Sequence, residues 1–246
     1  GNYEICAGLP IKNLRPLLLP TDPDAASKVV ARLVHLAKYH TSAAIDNPRS
    51  PLTDKLAVSL MQQPGWQLGD PYNLIPFEDP SQIELPVGSV AFLKIVNNSR
   101  HILHIAVLDL EPVWAISTIG IQGQSTDFYP MDPGTEQIIP LQFSLPPDAK
   151  HYSRVAETLK VFAAIGPTSF SWLELPILDN PIISRGSHRD NERGNTRSAQ
   201  AQASQDPLNR LLQAIDAESP PRRAAIVITD PNQDWTTQQV QFTLVQ

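Results

Sequence analysis

Two apolar runs near the middle of the chain constrain its fold more than any other feature. Residues 89–98 have the sequence SVAFLKIVNN and residues 101–111 have the sequence HILHIAVLDLE, with a short polar break between them. In each run both alternating sets of residues are mainly apolar, which is typical of strands that are buried on both faces. The Asn97-Asn98 dipeptide favours a turn. The pattern therefore predicts an antiparallel hairpin in the middle of a sheet.

Proline is frequent throughout the chain, with 24 residues among 246. Because proline interrupts helices and is confined to strand ends and sheet edges, this count favours short strands over a helical bundle. Short alternating segments separated by turn residues predict a mainly β protein, an antiparallel, immunoglobulin-like β-sandwich over residues 51–180. The other predicted strands in this domain are residues 55–61, residues 113–121, residues 137–145 with Pro140 at a sheet edge or bulge, and residues 155–165.

One amphipathic helix is predicted before the sandwich, over about residues 23–41, within a helical unit of residues 23–45. Asp22 is a good N-cap and Pro23 suits the first helical position. An apolar stripe at helical spacing is expected to pack on the sandwich, and the basic residues are expected to face away from it. The stripe comprises Ala26, Val29, Val30, Leu33, Val34 and Ala37, and the basic residues are Lys28, Arg32 and Lys38.

The remaining segments flank the predicted sandwich. Residues 1–22 predict an extended arm that packs Ile11, Leu14 and residues 17–19 on another surface. Residues 185–205 contain no large apolar side chain, which predicts a flexible linker over residues 181–205. Residues 206–246 predict a short C-terminal helix and a final strand, residues 235–245, that returns to the sandwich. The apolar residues of that short helix are Leu208, Leu211, Leu212 and Ile215.

Charge and segment lengths exclude several classes of partner. The formal net charge is -6, which argues against a general nucleic-acid surface and against a polybasic membrane anchor. No apolar run approaches the roughly 20 residues that span a bilayer, and the first residues lack the pattern of a signal peptide. A single cysteine excludes a disulfide framework. We therefore expect a cytoplasmic protein that binds neither nucleic acid nor membrane.

Residues with catalytic or metal-binding chemistry are scattered. Cys6 has no nearby histidine and no helix N-terminus to activate its thiol, so we interpret it as a bystander. His35 and His40 are five residues apart, which is not the spacing of two ligands on one helix face. Asp109 and Glu111 share a strand face that would suit acid–base chemistry, although solvated charges at a strand end are commoner. The sequence therefore predicts no catalytic residue, no metal and no cofactor.

Aromatic residues on two long loops are the candidate contacts for a ligand or partner. They are Trp66, Tyr72 and Phe77 in residues 62–86, and Phe128 and Tyr129 in residues 122–134. Long loops in a compact domain are often functional. Other aromatics, such as Trp114 and Trp172, are better explained by packing in a sandwich core.

Several phrases in order resemble the region that follows the protease domain in prokaryotic and fungal caspase-family (metacaspase-like) proteins of the peptidase C14 type. The most distinctive is TLKVFAAIGPTSFSWLELP at residues 158–176. Others are ARLVHLAKYHTSAAIDNPRSPL at residues 31–52, VNNSRHILHIAVLDLEPVWAISTI at residues 96–119 and DPGTEQIIPLQFSLP at residues 132–146. The His-Gly and Asp-x-Cys-x-Ser-Gly segments that such peptidases need are absent, and Cys6 does not match them. The resemblance thus implies a non-catalytic β-sandwich beside a peptidase, with no active-site residue in this chain.

The sequence supports two candidate functions and disfavours a third. The first is an accessory or interaction domain of a caspase-like cysteine peptidase, which would pack against, regulate or target the protease domain upstream of it or another protein. The alternative is a carbohydrate-binding sandwich that uses its aromatic loops. Of the two functions, protein binding is the expected one, and a small-molecule ligand is disfavoured. A self-contained enzyme is disfavoured because the sequence shows no set of nucleophile, base and orienting residue.

Overall fold

The computed structural model describes residues 19–121, 128–145, 152–179 and 235–246. In these ranges 42% of the residues lie in strands and 14% in helix, which confirms the predicted mainly β class. One α-helix, α1 (Ala25–Ala44), precedes the strands, and a short 3-10 turn (Ser171–Leu173) follows β9. The strands are β1 (Leu56–Gln62), β2 (Ile75–Pro76), β3 (Ile83–Pro86), β4 (Val90–Asn97), β5 (Leu103–Leu110), β6 (Ile116–Ile119), β7 (Tyr129–Met131), β8 (Glu136–Gln142), β9 (Arg154–Ala164) and β10 (Trp235–Val245).

These strands form two sheets. The four-stranded sheet has the order β2-β1-β4-β8 and is antiparallel throughout. The other sheet has the order β3-β10-β9-β5-β6, with β7 also paired to β5, and only the β3–β10 pairing is parallel. Every residue of β10 pairs with β9, so the last strand lies in this sheet. Pro140 lies in the edge strand β8, as predicted.

The inner faces of the two sheets meet in one hydrophobic cluster. The longer strands contribute alternate residues to it, because successive side chains of a strand point to opposite faces. The sheets therefore pack face to face. The finer immunoglobulin-like architecture stays a prediction. Residues 1–18 of the predicted arm over residues 1–22, the linker, the short C-terminal helix and Cys6 lie outside the described residues. Representative members of the cluster are Leu56, Leu60, Leu93, Ile95, Ile105, Val107, Leu159, Val161, Phe242 and Leu244.

The predicted hairpin between the two central apolar runs is wrong. β4 belongs to the four-stranded sheet and β5 to the other, so the polar break crosses from one sheet to its neighbour. Asn97 fixes this crossing from a fully buried position. Its Nδ2 donates to the backbone oxygens of His101 (2.8 Å), Met131 (2.9 Å) and Asp132 (3.2 Å), and its Oδ1 accepts from Ser99 N at 2.9 Å.

Helix α1 lies on the outer face of the six-stranded sheet, but it is turned the opposite way from the prediction. Its buried positions are Ala25, Arg32, Leu36, Tyr39 and Ser42. Most of the predicted apolar stripe instead faces outward, and only Val29 lies at intermediate exposure. The exposed fractions are 60% for Val30, 51% for Leu33 and 48% for Val34. We call Ala26, Val30, Leu33, Val34 and Ala37 the outer stripe.

Polar anchors explain this orientation. The Arg32 guanidinium, predicted to face solvent, donates from Nε to Asp179 Oδ1 at 2.9 Å and from Nη2 to Oδ2 at 2.7 Å. His35 Nε2 donates to the backbone oxygen of Trp114 at 2.8 Å, and the Tyr39 hydroxyl donates to that of Glu111 at 3.3 Å. Each partner is distant in sequence, so the local pattern of α1 contains no signal for them.

Lys160 secures the C-terminal end of α1. This lysine on β9 is almost fully buried, and its Nζ donates to the backbone oxygens of Ser42 (3.3 Å), Ala43 (2.5 Å) and Ile45 (2.5 Å). Carbonyl groups at a helix end lack the usual donor one turn further along the chain, and here Ser42 O accepts from Ile45 N at 3.4 Å as well as from Lys160. The helix dipole also favours a cation at this end. Burial lowers the pKa of Lys160 to about 8, while the nearby Asp46 acts in the opposite direction.

Candidate functional site

The loop between β1 and β2, residues 63–74, is held in shape by its own hydrogen bonds. The Gln63 side chain joins the two ends of the loop, because Nε2 donates to Pro71 O at 3.1 Å and Oε1 accepts from Asn73 N at 2.7 Å. At the tip, Asp70 N donates to Gln67 O at 3.0 Å, and Gln67 N donates to Asp70 Oδ2 at 2.9 Å. Gly69 has a φ of 101°, which an L side chain rarely adopts, so a tight turn forms there.

Two of the loop's aromatic residues cover the outer face of the four-stranded sheet. Trp66 and Tyr72 stack with their ring centroids 6.3 Å apart and their planes 25° apart. Both meet the buried ring of Phe92 edge-on, at 5.2 Å and 5.6 Å. Trp66 Nε1 also donates to Asp70 O at 3.3 Å, which fixes the indole against the loop backbone. Phe92 points outward from β4 because its neighbours Ala91 and Leu93 belong to the inner cluster.

The tip of the loop presents an apolar side chain to solvent. Leu68 is 94% exposed, and the same stretch includes Tyr72 at 48% and Ile75 at 47%. Since an exposed leucine contributes almost no burial to folding, packing does not explain its place between two ordered turns. Single exposed apolar residues are common, but a group of them on a rigid loop is typical of an interaction surface. Together, Trp66, Leu68, Tyr72 and Ile75 form what we call the loop patch.

The structure separates the five predicted contact residues into three places. Trp66 and Tyr72 come together in the loop patch. Phe77 is half-buried against the inner cluster, so it contributes to packing. Phe128 and Tyr129 lie on the other sheet, where Phe128 meets the His104 ring at 4.8 Å. They line a recess of about 10 Å³, together with Ile105, Ala106, Thr118, Ile119 and Ile121. That volume has room for about one water molecule and no sugar.

Leu68 and Ile75 are the members of the loop patch that the sequence reasoning missed. The signal that could have revealed Leu68 is its place between Gly65 and Gly69, two turn residues, in a stretch with few other apolar positions. An apolar residue between two turns does not lie in a strand or helix whose inner face could bury it.

A second cluster consists of buried carboxyl groups. The side chains of Asp109 on β5 and Glu157 on β9 interact, and a proton held by one of them would join the two, since Asp109 Oδ1 and Glu157 Oε2 are buried without another hydrogen-bond partner among the described residues. Burial raises the pKa of both carboxyl groups, and their mutual repulsion when charged adds to the effect on Glu157. The Ser117 hydroxyl donates to Glu111 Oε1 at 3.2 Å, while burial raises the pKa of Glu111. Sequence reasoning paired Asp109 with Glu111, whereas the structure pairs it with Glu157 across adjacent strands.

This carboxyl pair can retain one shared proton at neutral pH, since two buried carboxylates in contact cannot both ionise cheaply. Among the described residues, no group of three or more His, Cys, Asp or Glu side chains could hold a metal ion. No helix in the described part of the chain has both the length and the hydropathy that a membrane crossing requires. Because Glu157 is buried and Leu68 is exposed, we take the loop patch as the candidate functional site.

Comparison with known proteins gave no match: no family model, no curated protein and no solved structure is similar to this chain.

Proposed function

We propose that this chain is a non-catalytic interaction domain that binds a protein partner through the loop patch. The observation that supports this function best is Leu68, which is 94% exposed on a loop that its own hydrogen bonds hold in one shape. Binding to a preformed surface avoids the entropy cost of ordering a loop. Aromatic side chains such as Trp66 and Tyr72 are the commonest anchors of such a surface, and an aliphatic side chain that enters a pocket of the partner can also serve as one.

The composition of the loop patch favours a protein over a sugar. A sugar stacks on the flat face of an aromatic ring that is free to receive it. Trp66, however, uses one face for Tyr72, packs perpendicular to the Phe92 ring and is only partly exposed. Leu68 and Ile75 offer no hydrogen bonds, which suits an apolar protein surface and not a polyol.

We further propose that the partner is the catalytic domain of a caspase-like cysteine peptidase. The support is the resemblance of residues 31–52, 96–119, 132–146 and 158–176 to the region beside such domains. The same proposal includes an immunoglobulin-like sandwich and a cytoplasmic location. It also includes the expectation that the chain has no cofactor and binds neither nucleic acid nor membrane. The single cysteine and the net charge of -6 support them.

The proposal is tested by isothermal titration calorimetry with a purified caspase-like catalytic domain. We expect the wild-type chain to bind and Leu68→Ser to weaken the affinity at least about tenfold, the usual effect of removing an anchor residue. The fold of this variant should not change, because Leu68 makes almost no contact with the domain.

Ile102→Ser is the matched control, because Ile102 is also apolar and 49% exposed but lies beside β5, outside the loop patch. Its affinity should equal that of the wild type. Equal affinities for wild type and Leu68→Ser would contradict the proposal. Hydrolysis of Arg, Lys or Asp peptides by the chain alone, abolished by Cys6→Ser, would contradict its non-catalytic nature.

Carbohydrate binding is the second candidate, and the stacked Trp66–Tyr72 pair is the observation in its favour. A glycan array with the intact chain distinguishes the two functions. A glycan that also shifts the tryptophan fluorescence of the wild type, but not of Tyr72→Ala, would replace the protein-binding proposal. We expect a blank array.

A further inference from the structure

The outer stripe of α1 is an apolar surface that the described core does not cover. Val30, Leu33 and Val34 are each about half exposed or more, and Leu19 just before the helix is 55% exposed. Ala26 and Ala37 extend the surface in both directions along the helix. Residues at i, i+3, i+4 and i+7 share one face of a helix, so positions 30, 33, 34 and 37 form a continuous seam.

This seam cannot turn inward to bury itself. The opposite face of α1 is attached by the Arg32–Asp179 ion pair, and its end is held by Lys160. Rotating the helix would break both contacts and leave a buried lysine without its carbonyl partners. The seam is therefore a permanent outer surface of the domain, available to a second element.

We propose that residues 207–215 of the same chain cover the outer stripe as a short amphipathic helix. The sequence of this segment is PLNRLLQAI, and its apolar residues repeat at the same spacing as those of α1. Two seams with the same i, i+3, i+4, i+7 spacing can pack along each other as paired helices do. The matched positions are Leu208, Leu211, Leu212 and Ile215 on the segment and Val30, Leu33, Val34 and Ala37 on α1.

The path of the chain places this segment near α1. Residues 180–234 leave the described structure after Asp179, which is bonded to Arg32 of α1, and re-enter it at Trp235. Trp235 belongs to the same cluster as Leu36 and Tyr39 of α1, and its backbone oxygen accepts from Asn47 Nδ2 at 2.9 Å. Both ends of residues 180–234, which we call the tether, therefore lie near α1.

The length of the tether allows the contact. Roughly 20 or more residues separate the segment from either end, and a flexible chain of about 20 residues has an end-to-end distance near 25 Å. Helix α1 has 20 residues and is about 30 Å long. A connecting chain whose end-to-end distance matches the distance to be spanned gives residues 207–215 an effective concentration of about millimolar at α1. This segment would therefore outcompete a second copy of the chain at ordinary protein concentrations.

Charge is compatible with this segment. Residues 25–44 of α1 contain three basic residues and no acidic one, and two of the basic residues are already paired, Lys28 with Asp22 and Arg32 with Asp179. Residues 206–218 contain three acidic residues and one basic residue, so they bring no excess of like charge to the helix, whereas residues 1–18 contain two basic residues and one acidic residue. The charged residues are Lys28, Arg32 and Lys38 in α1; Asp206, Arg210, Asp216 and Glu218 in the segment; and Glu4, Lys12 and Arg15 in residues 1–18. The choice of occupant therefore rests on the matched apolar spacing and on the attachment of the segment near α1 at both ends.

Crosslinking in the full chain tests the contact. In a Cys6→Ser background, Val34→Cys and Leu211→Cys are introduced together and treated with a short bismaleimide. We expect an internal crosslink in the monomer, detected by intact mass, that forms at least about tenfold faster than in a control pair. The control combines Leu211→Cys with Glu78→Cys, an exposed position in the loop region before β3.

A second measurement uses one thiol. We expect the single variant Val34→Cys to react with a maleimide about tenfold faster once Leu211→Asp and Leu212→Asp are added, because the segment then leaves the stripe. Crosslinks that join two chains and depend on concentration would replace the proposal with self-association. Equal crosslinking rates in both pairs, or an unchanged labelling rate, would overturn it.

Discussion

The orientation of α1 makes Arg32→Ala an informative perturbation. The Arg32 side chain is 9% exposed and forms a two-point contact with Asp179, whose side chain is 34% exposed. The substitution removes the guanidinium and its packed stem and leaves the Asp179 carboxylate without this partner. In a helix packed through its apolar stripe, Arg32 would be solvated and its removal would have almost no effect.

The magnitude follows from burial. Removing one partner of a fully buried ion pair costs about 3–5 kcal/mol, because the remaining charge is left unpaired in the interior. Asp179 is one third exposed and can regain part of its hydration, which lowers the cost. We therefore expect Arg32→Ala to lower the free energy of unfolding by about 2–3 kcal/mol.

Urea denaturation measures this change through the midpoint and slope of the transition. Val30→Ala is the matched control, since Val30 is on the same helix and 60% exposed. Its effect should stay within about 0.5 kcal/mol of the wild type, because alanine has the higher helix propensity and little burial is lost. A loss of about 2 kcal/mol for Val30→Ala with no loss for Arg32→Ala would show that the stripe faces the sheet.

Two further substitutions test the core. Asn97→Ala should lower the free energy of unfolding by about 2–4 kcal/mol, because three backbone oxygens lose a donor at a buried crossing; those of His101 and Asp132 keep a second donor, from Ser99 and Thr135. A loss below about 1 kcal/mol in urea denaturation would contradict that role. Glu157→Gln should flatten the dependence of stability on pH. The raised pKa values of Asp109 and Glu157 mean that the folded state retains protons that the unfolded state loses. The contribution of this pair to wild-type stability should therefore be largest below the unfolded carboxyl pKa and fall as pH rises, by up to about 1.4 kcal/mol per pH unit for each retained proton. Equal slopes for variant and wild type between pH 5 and 9, from thermal unfolding, would refute this coupling.

The strands could be predicted from the sequence because their signal is local. The alternation in β10 and the apolar runs of β4 and β5 identify strands without any knowledge of their partners. Which strands pair is not a local property. The Asn97-Asn98 turn chemistry fits a hairpin and a crossing between sheets equally well, and the crossing is decided by the carbonyl groups of residues 131 and 132, far along the chain.

The helix was located by its pattern but given the wrong orientation. A hydrophobic stripe normally identifies the buried face, and α1 departs from this rule because its contacts are made by Arg32, His35 and Tyr39. Asp179 lies 147 residues from Arg32 in sequence. No window of local sequence contains both members of that pair.

The candidate site can be derived from the sequence only in part, and its function stays a prediction. Aromatic composition identified Trp66 and Tyr72, but their stacking depends on Phe92 in a strand that the loop covers. The partner of Asp109 was missed because Glu157 is on a neighbouring strand, and strand pairing is needed to bring the two together.

The central claim is that the loop patch binds a partner protein. Its most direct test is hydrogen–deuterium exchange of the intact chain, measured with and without the caspase-like catalytic domain. The account predicts that the partner slows exchange in the loop that bears Trp66, Leu68 and Tyr72, where the amides of Gln67 and Asp70 form the turn. Protection confined to other surfaces, or no protection at saturating partner, would contradict it.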